Sequence, residues 1–255
     1  MGVNKIRLSV LLLLSANGSV LQADEVQVAV ASNFSKPLES LATAFKASSG
    51  HELKISAGAT GKLYAQIENG APFDVFLSAD SKTPKKLVEA QLAVADSQFT
   101  YALGKLVLWS STKDTVDAQG VVLQKGEFKH LAMANPKTAP YGAAALEVLD
   151  HLGLTQTLAA KLVQGENISQ TYDFVSTSNA ELGFVAWAQV VQNGILKEGS
   201  VWQVPESLYQ PIQQDAVLLT KGKNNTAAQA LLAFLKTPAA QKIITDAGYA
   251  LPKAN

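Results

Sequence analysis

The stretch Val26-Gln-Val-Ala-Val-Ala-Ser-Asn-Phe-Ser-Lys-Pro-Leu-Glu-Ser-Leu41 decides how this chain folds. Val26, Val28 and Val30, with small residues among them, suit a strand buried on both faces, as in a parallel sheet between helix layers. The strand breaks at Ser32-Asn33. Beyond it Leu38, Leu41, Ala42 and Phe45 recur at the spacing of one helical face, and Pro37 fits a first helical turn, where its missing N–H costs nothing. Such a turn aims unpaired N–H groups and the positive end of the helix dipole at whatever lies above the sheet. Ser32 and Asn33 then have two readings, as an ordinary helix cap or as half of an anion pocket.

The same unit recurs along the chain. Leu53–Ala57 reads as a second strand, broken by Gly58-Ala-Thr-Gly61 and followed by the helical face of Leu63, Tyr64 and Ile67. That turn lacks the glycine pattern of a dinucleotide fingerprint and the Gly-Lys-Ser/Thr ending of a phosphate loop, so a tight turn with no ligand competes with a binding role. Asp74–Ser78 is a third strand, and Thr83-Pro84 starts a helix. Tyr101–Trp109 reads as one strand bent near Gly104, where the chain passes from one lobe to another. Residues 110–129 read as a surface excursion around a short strand at Val121–Leu123. Strand Leu131–Ala134 leads through Asn135-Pro136 and Pro140-Tyr141-Gly142 into a helix bearing Ala145, Val148 and Leu149. Glu166-Asn-Ile168-Ser-Gln170 opens a further helix, Leu182–Val185 is a strand with a helix over 186–191 after it, and 202–204 and 215–220 are the remaining strands. Thr226 caps one further helix and Thr237-Pro238 starts the last. Alternating strands and helices make the chain α/β with largely parallel sheets.

The totals narrow the function. Among 255 residues Lys+Arg and Asp+Glu balance at 21 each, which argues against a nucleic-acid partner or an anionic membrane surface. There is no Cys, hence no disulfide framework and no thiolate site. Lys5 and Arg7 followed by the short apolar run Ile6–Leu14 resemble a secretory leader ending near Ala23, so residues 1–23 are expected to be a signal peptide and the protein periplasmic. The three His are isolated, no nucleophile elbow or zinc pattern occurs, and Asp74 and Asp80 carry no paired-carboxylate signature. No cofactor is implied. What recurs is polar and uncharged: Ser32-Asn33, Thr60, Tyr141 and the Ile168-Ser169 turn, each at a strand-to-helix break. Several helix N-termini converging on one cleft would replace the hydration shell of a small oxyanion. Lys36, Lys62 and Lys137 lie beside these turns and read as solvated flanking residues. A pocket with donors and no acceptor favours a ligand that carries no proton.

Taken together and in order, Val30-Ala-Ser-Asn-Phe34, Ser56-Ala-Gly-Ala-Thr-Gly61, Asn69–Asp80, Tyr101–Trp109, Asn135-Pro with Ala139-Pro-Tyr-Gly142, and Leu182-Gly-Phe-Val-Ala186 resemble the periplasmic molybdate-binding proteins of ABC importers. The resemblance covers essentially everything after the leader. It implies a two-lobed periplasmic-binding-protein fold of type II, each lobe a mostly parallel sheet flanked by helices, with the ligand in the cleft. Lobe 1 would hold 24–103 and 212–255, and lobe 2 would hold 104–211. It further implies a monomer that binds molybdate, and tungstate of nearly equal size and charge, with no direct metal–protein bond, and delivers it to an inner-membrane permease. Carried over by position, Ser32, Asn33 and Thr60 would donate through hydroxyl or backbone N–H, and Tyr141 and Ile168 through backbone N–H. A shift of one or two residues would give the last role to Asn167 or Ser169. One branch of the family uses a tyrosine where this chain has Ala186, so the chain resembles the branch with a Ser/Thr-Asn pair in the first turn. Binding of sulfate or another oxyanion, a ligand-sensing regulator domain, and an enzyme on the same scaffold are the alternatives.

Overall fold

The computed structural model describes residues 24–253, so the expected leader at 1–23 lies outside the described residues. Strand β1 (Glu25–Ala31) runs through a single 3-10 turn at Ser32–Phe34 into α1 (Ser35–Ser49). Then follow β2 (Glu52–Gly58), α2 (Thr60–Glu68), β3 (Val75–Leu77), α3 (Lys82–Glu89) and β4 (Phe99–Gly104). The second half of the cleft is built from β5 (Leu106–Ser110), α4 (Val122–Lys125), β6 (Leu131–Ala134), α5 (Pro140–His151), α6 (Thr155–Leu158), β7 (Leu162–Gly165) and α7 (Ile168–Ser176). It is completed by β8 (Leu182–Ala186), α8 (Trp187–Val190), the hairpin β9 (Val191–Gln192) and β10 (Ile195–Leu196), and β11 (Ser200–Gln203). The chain returns through β12 (Ile212–Leu218) and ends in α9 (Thr226–Leu235) and α10 (Pro238–Asp246).

Two five-stranded sheets result, ordered β2-β1-β3-β12-β4 and β11-β5-β8-β6-β7. The pairings β1 with β2 and β3, and β6 with β7 and β8, are parallel. β12 is antiparallel to both its neighbours in the first sheet, and β5 is antiparallel to both of its own in the second. Each sheet is therefore parallel apart from one strand, and that strand is the first one made after the chain crosses over. The parallel strands point their carboxyl ends at the cleft, so a strand arriving from the cleft must run the other way.

The core follows the sequence pattern. Val26, Val28 and Val30 pack with Phe34, Leu38, Leu41 and Phe45 of the first helical unit and with Leu231, Leu235 and Ile244. Ala29 faces the opposite layer, with Leu63, Ile67, Phe76 and Leu87. Each such fully buried Val, Leu or Phe contributes about 1.5–3 kcal/mol of transfer free energy, which fixes the register of β1 and so the position of the Ser32-Asn33 turn. In the second lobe Leu106 and Leu108 face Met133, Val148 and Phe184, while Val107 and Trp109 face Ala132, Val175 and Val185.

Some expectations need correction. The run 101–109 is two strands in two sheets, separated by Lys105 alone. Val121–Leu123 is not a strand: Val122 and Leu123 open α4, where Asp117 accepts the N–H groups of Val121 and Val122. The cap of α9 is Asn225, whose Oδ1 accepts from Ala227 and Ala228, so Thr226 is the first helical residue instead. The helix expected over 186–191 stops at Val190 and gives way to the β9–β10 hairpin.

Candidate functional site

All five residues singled out in the sequence line one small cavity between the lobes. Its wall is Ala31, Ser32, Asn33, Gly58, Ala59, Thr60 and Ala79 from one side and Ala139, Pro140, Tyr141, Asn167 and Ile168 from the other. The cavity is about 10 Å³ in volume. That is room for about one water-sized group, far below the pockets of organic metabolites, which run to about 300–1,000 Å³. The five residues are only 1% to 7% exposed.

Each of them occupies the first or second position of a helical turn, where an N–H has no partner within the helix. The residues preceding three of these turns are Ala31, Ala59 and Ala139, none of which caps with a side chain. Alanine is a poor N-cap because it offers the first turn no acceptor. Among the hydrogen bonds of the described residues, none uses the N–H of Ser32, Asn33, Thr60, Tyr141 or Ile168. Their neighbours are committed: Gly61 N–H donates to Thr138 O at 2.8 Å, Lys62 to Ala59 O at 3.0 Å, and Gly142 to Ala139 O at 2.9 Å. Around the fourth turn Asn167 Oδ1 takes the N–H of Ser169 and of Gln170, at 2.9 and 3.1 Å, so Ser169 has no N–H to offer, whereas Ile168 and Asn167 both line the cavity with theirs uncommitted. Buried orphan N–H groups are rare in folded proteins. Five around one cavity constitute a set of donors arranged for an acceptor.

Side chains refine the set. Thr60 Oγ1 accepts the Ala79 N–H at 3.1 Å, so its own proton is free to be given elsewhere. The Asn33 amide is committed away from the cavity, donating to Gln214 Oε1 at 2.6 Å and Tyr249 Oη at 3.0 Å. Asn33 can therefore offer only its backbone. No carboxylate and no lysine lines the cavity. Lys62 pairs with Glu166 at 2.8 Å across the lobes, whereas Lys36 and Lys137 line separate outer grooves. The cage is thus electrically neutral, with its positive potential supplied by N–H dipoles. Ala186 is buried with its N–H bonded to Gln189 Oε1, and it brings no hydroxyl to the site.

Direct contacts bridge the lobes around the cavity. Besides Gly61 to Thr138 and Lys62 to Glu166, Ser169 Oγ donates to Ser32 O at 3.2 Å. A β-carbon at Gly61 would lie 3.1 Å from Thr138 Cα, so glycine permits this close approach. The acidic residues weighed as catalytic candidates have other tasks. Asp80 accepts from Thr83 N and Oγ1 at the start of α3, and Asp74 accepts from Gln27 N at 2.7 Å. His51, His130 and His151 lie in local contacts with Asp24, Glu181 and Glu147.

Sequence reading did not find Gln214, Tyr249 and Tyr101, which surround Asn33 from behind. Gln214 and the adjacent Asp215 are buried polar residues inside a strand, at a register shift of β12, and that was the available signal. Tyr249, in the turn after α10, carried none. Burial pushes the phenols of Tyr101, Tyr141 and Tyr249 well above their ordinary value.

A parallel-stranded lobe on each side of a cleft, with converging helix N-termini enclosing one very small cavity, defines a two-lobed binding protein for a small solute. The chain belongs to the bacterial extracellular solute-binding protein family, whose profile matches residues 26–250. It is 58% identical over 230 residues to the molybdate-binding protein ModA of Azotobacter vinelandii, covering 90% of this chain and 91% of that one. To the ModA of Rhodobacter capsulatus it is 52% identical over 227 residues, 89% of this chain and 88% of the relative. The solved periplasmic molybdate-binding protein of Azotobacter vinelandii superposes with a TM-score of 0.87 at 43% identity, over 89% of this chain and all of that one. These relatives are solute-binding proteins by name, and the chain stands with them rather than with enzymes.

Proposed function

We propose that this protein captures molybdate, and tungstate with it, through neutral hydrogen-bond donors in the periplasm and delivers it to the permease of an ABC importer. The observation that carries the reading is the set of five unpaired N–H groups around one carboxylate-free cavity, with the Thr60 hydroxyl beside them. A tetrahedral dianion is all acceptor and satisfies such a set, whereas hydrogen phosphate brings an O–H that would find no acceptor. The two ModA relatives, at more than half identity, support molybdate as the particular anion.

In this reading Ser32, Asn33, Thr60, Tyr141 and Ile168 hold the oxyanion, in the manner of the Ser/Thr-Asn branch. Residues 24–103 with 212–255 close as one lobe against 104–211, the protein acts as a monomer, and residues 1–23 direct secretion. Titration calorimetry of the protein with molybdate, tungstate, sulfate and phosphate tests it. Tight binding of molybdate and tungstate with weak sulfate and no phosphate is expected. Binding of phosphate in preference to molybdate would refute the donor-cage argument.

A further inference from the structure

Behind the donor cage, beside the crossing strands, lies a buried polar cluster. Asn33 Nδ2 donates to Gln214 Oε1 at 2.6 Å and to Tyr249 Oη at 3.0 Å, and Tyr249 Oη donates back to Asn33 O at 2.8 Å. The last two bonds form a closed ring that fixes both ends of the Asn33 residue. Tyr101 Oη completes the cluster, donating to Ser78 O at 3.2 Å, and Phe34 sits edge-on to Tyr101 and Tyr249. All of these belong to the first lobe or its returning strand.

Tyr141 comes from the other lobe, from the first turn of α5. Its N–H is one of the five cage donors, while its side chain runs back to the crossing point. A β-carbon at Gly104, the last residue before the chain leaves β4, would lie 2.1 Å from Tyr141 Oη. Glycine at 104 is therefore what lets the phenol reach the hinge. There the hydroxyl lies beside Tyr249, fully buried, and makes no hydrogen bond of acceptable geometry. Tyr249 Oη already donates to Asn33 O and receives one bond from Asn33 Nδ2, which leaves it one lone pair, and two buried donors without another partner lie beside it, the Tyr141 hydroxyl and Gln214 Nε2.

We propose that Tyr249 and the Tyr141 side chain are positioning groups for the anion site: in the ligand-bound protein the Tyr141 hydroxyl donates to Tyr249 Oη, and the chain Tyr141–Tyr249–Asn33 links the donors of the two lobes through the hinge. The proposal rests on the oxyanion reading given above. In it one residue serves twice, its backbone on the ligand and its hydroxyl on the opposite lobe's donor turn. Holding the anion then places the hydroxyl, and placing the hydroxyl orients the Asn33 N–H. Gln214 holds the Asn33 amide from the other side.

The test is a double-mutant cycle with Tyr141→Phe and Tyr249→Phe, read by calorimetry and by stopped-flow tryptophan fluorescence with sodium molybdate. Each single variant is expected to weaken binding about fivefold to tenfold, the worth of one buried hydrogen bond, mainly through a faster dissociation rate. The double variant is expected to be no weaker than Tyr249→Phe alone. Melting of the ligand-free Tyr141→Phe protein should match the wild type, because its hydroxyl is unpaired there, and a merely structural role would lower it. Dissociation rates unchanged in Tyr141→Phe, or losses that multiply in the double variant, would overturn the proposal. If Tyr249→Phe does not fold, the dissociation rate of Tyr141→Phe decides alone. Tungstate or sulfate serves in the same cycle if it is the anion bound. A wild type that binds none of the three overturns the oxyanion reading and this proposal with it, whereas binding with unaltered variants overturns this proposal only.

Discussion

Thr60→Val separates what the site does for the ligand from what it does for the fold. The substitution keeps shape and branching but removes a hydroxyl that accepts the Ala79 N–H at 3.1 Å and has a proton left for the cavity. A hydrogen bond to a charged ligand is worth about 1.5–3 kcal/mol, so the affinity for molybdate should fall about 10- to 150-fold. The buried Ala79 N–H loses its partner as well, which costs about 1–3 kcal/mol of stability in the ligand-free protein. For a chain of this size that lowers Tm by about 2–4 °C per kcal/mol. Thr60→Ser keeps the hydroxyl and should restore most of both quantities. Calorimetric titration gives the first and scanning calorimetry without ligand gives the second. A folded Thr60→Val protein with wild-type affinity would refute the placement of Thr60 among the donors, and lowered affinity with unchanged Tm would refute the Ala79 bond.

Other substitutions probe the surroundings. Lys62→Ala breaks the interlobe pair with Glu166, but both side chains are largely exposed. Titration at low and high salt should show a loss of less than about fivefold at either, because exposed pairs are worth about 0–1 kcal/mol. Asn225→Ala removes the α9 cap and the bond to Glu25 O, and should cost about 0.5–2 kcal/mol in a denaturant melt while leaving molybdate affinity unchanged. Tyr101, Tyr141 and Tyr249 all have phenols raised above 10.0 in the folded protein, so the unfolded chain releases these protons first. Their contribution is complete below pH about 10 and is lost as pH rises beyond it, by about 1.4 kcal/mol per pH unit for each phenol. Urea melts at pH 9 and above should show this fall, and stability that holds steady past pH 11 would contradict the burial of the cluster.

The alternation of strands and helices was legible because each element buries a periodic set: Val26, Val28 and Val30 on one face of a strand, Leu38, Leu41 and Phe45 on one face of a helix. The break inside 101–109 was not, since β4 and β5 are both apolar and only Lys105 separates them. A change of sheet leaves no mark on hydrophobicity when both strands are buried. Val121–Leu123 misled for a related reason, because three apolar residues are too few to distinguish the two periods, and the Asp117 acceptor that sets the helix start lies outside them. The alanines at 31, 59 and 139 were a stronger sign of the site than the polar residues beside them. Each stands where a capping side chain would otherwise consume the donors.

By itself the sequence determined the α/β class and the four strand-to-helix turns with Ser32, Asn33, Thr60 and Tyr141 on them, because turn chemistry and helix polarity are local. Only the tertiary structure brought those turns to one cavity, left Ile168 rather than Ser169 with the free N–H, and turned the Asn33 amide away from the cavity. Asn33 meets Gln214 and Tyr249 across 181 and 216 residues of chain. Contacts at that separation depend on how the two sheets exchange strands, and no local pattern encodes them.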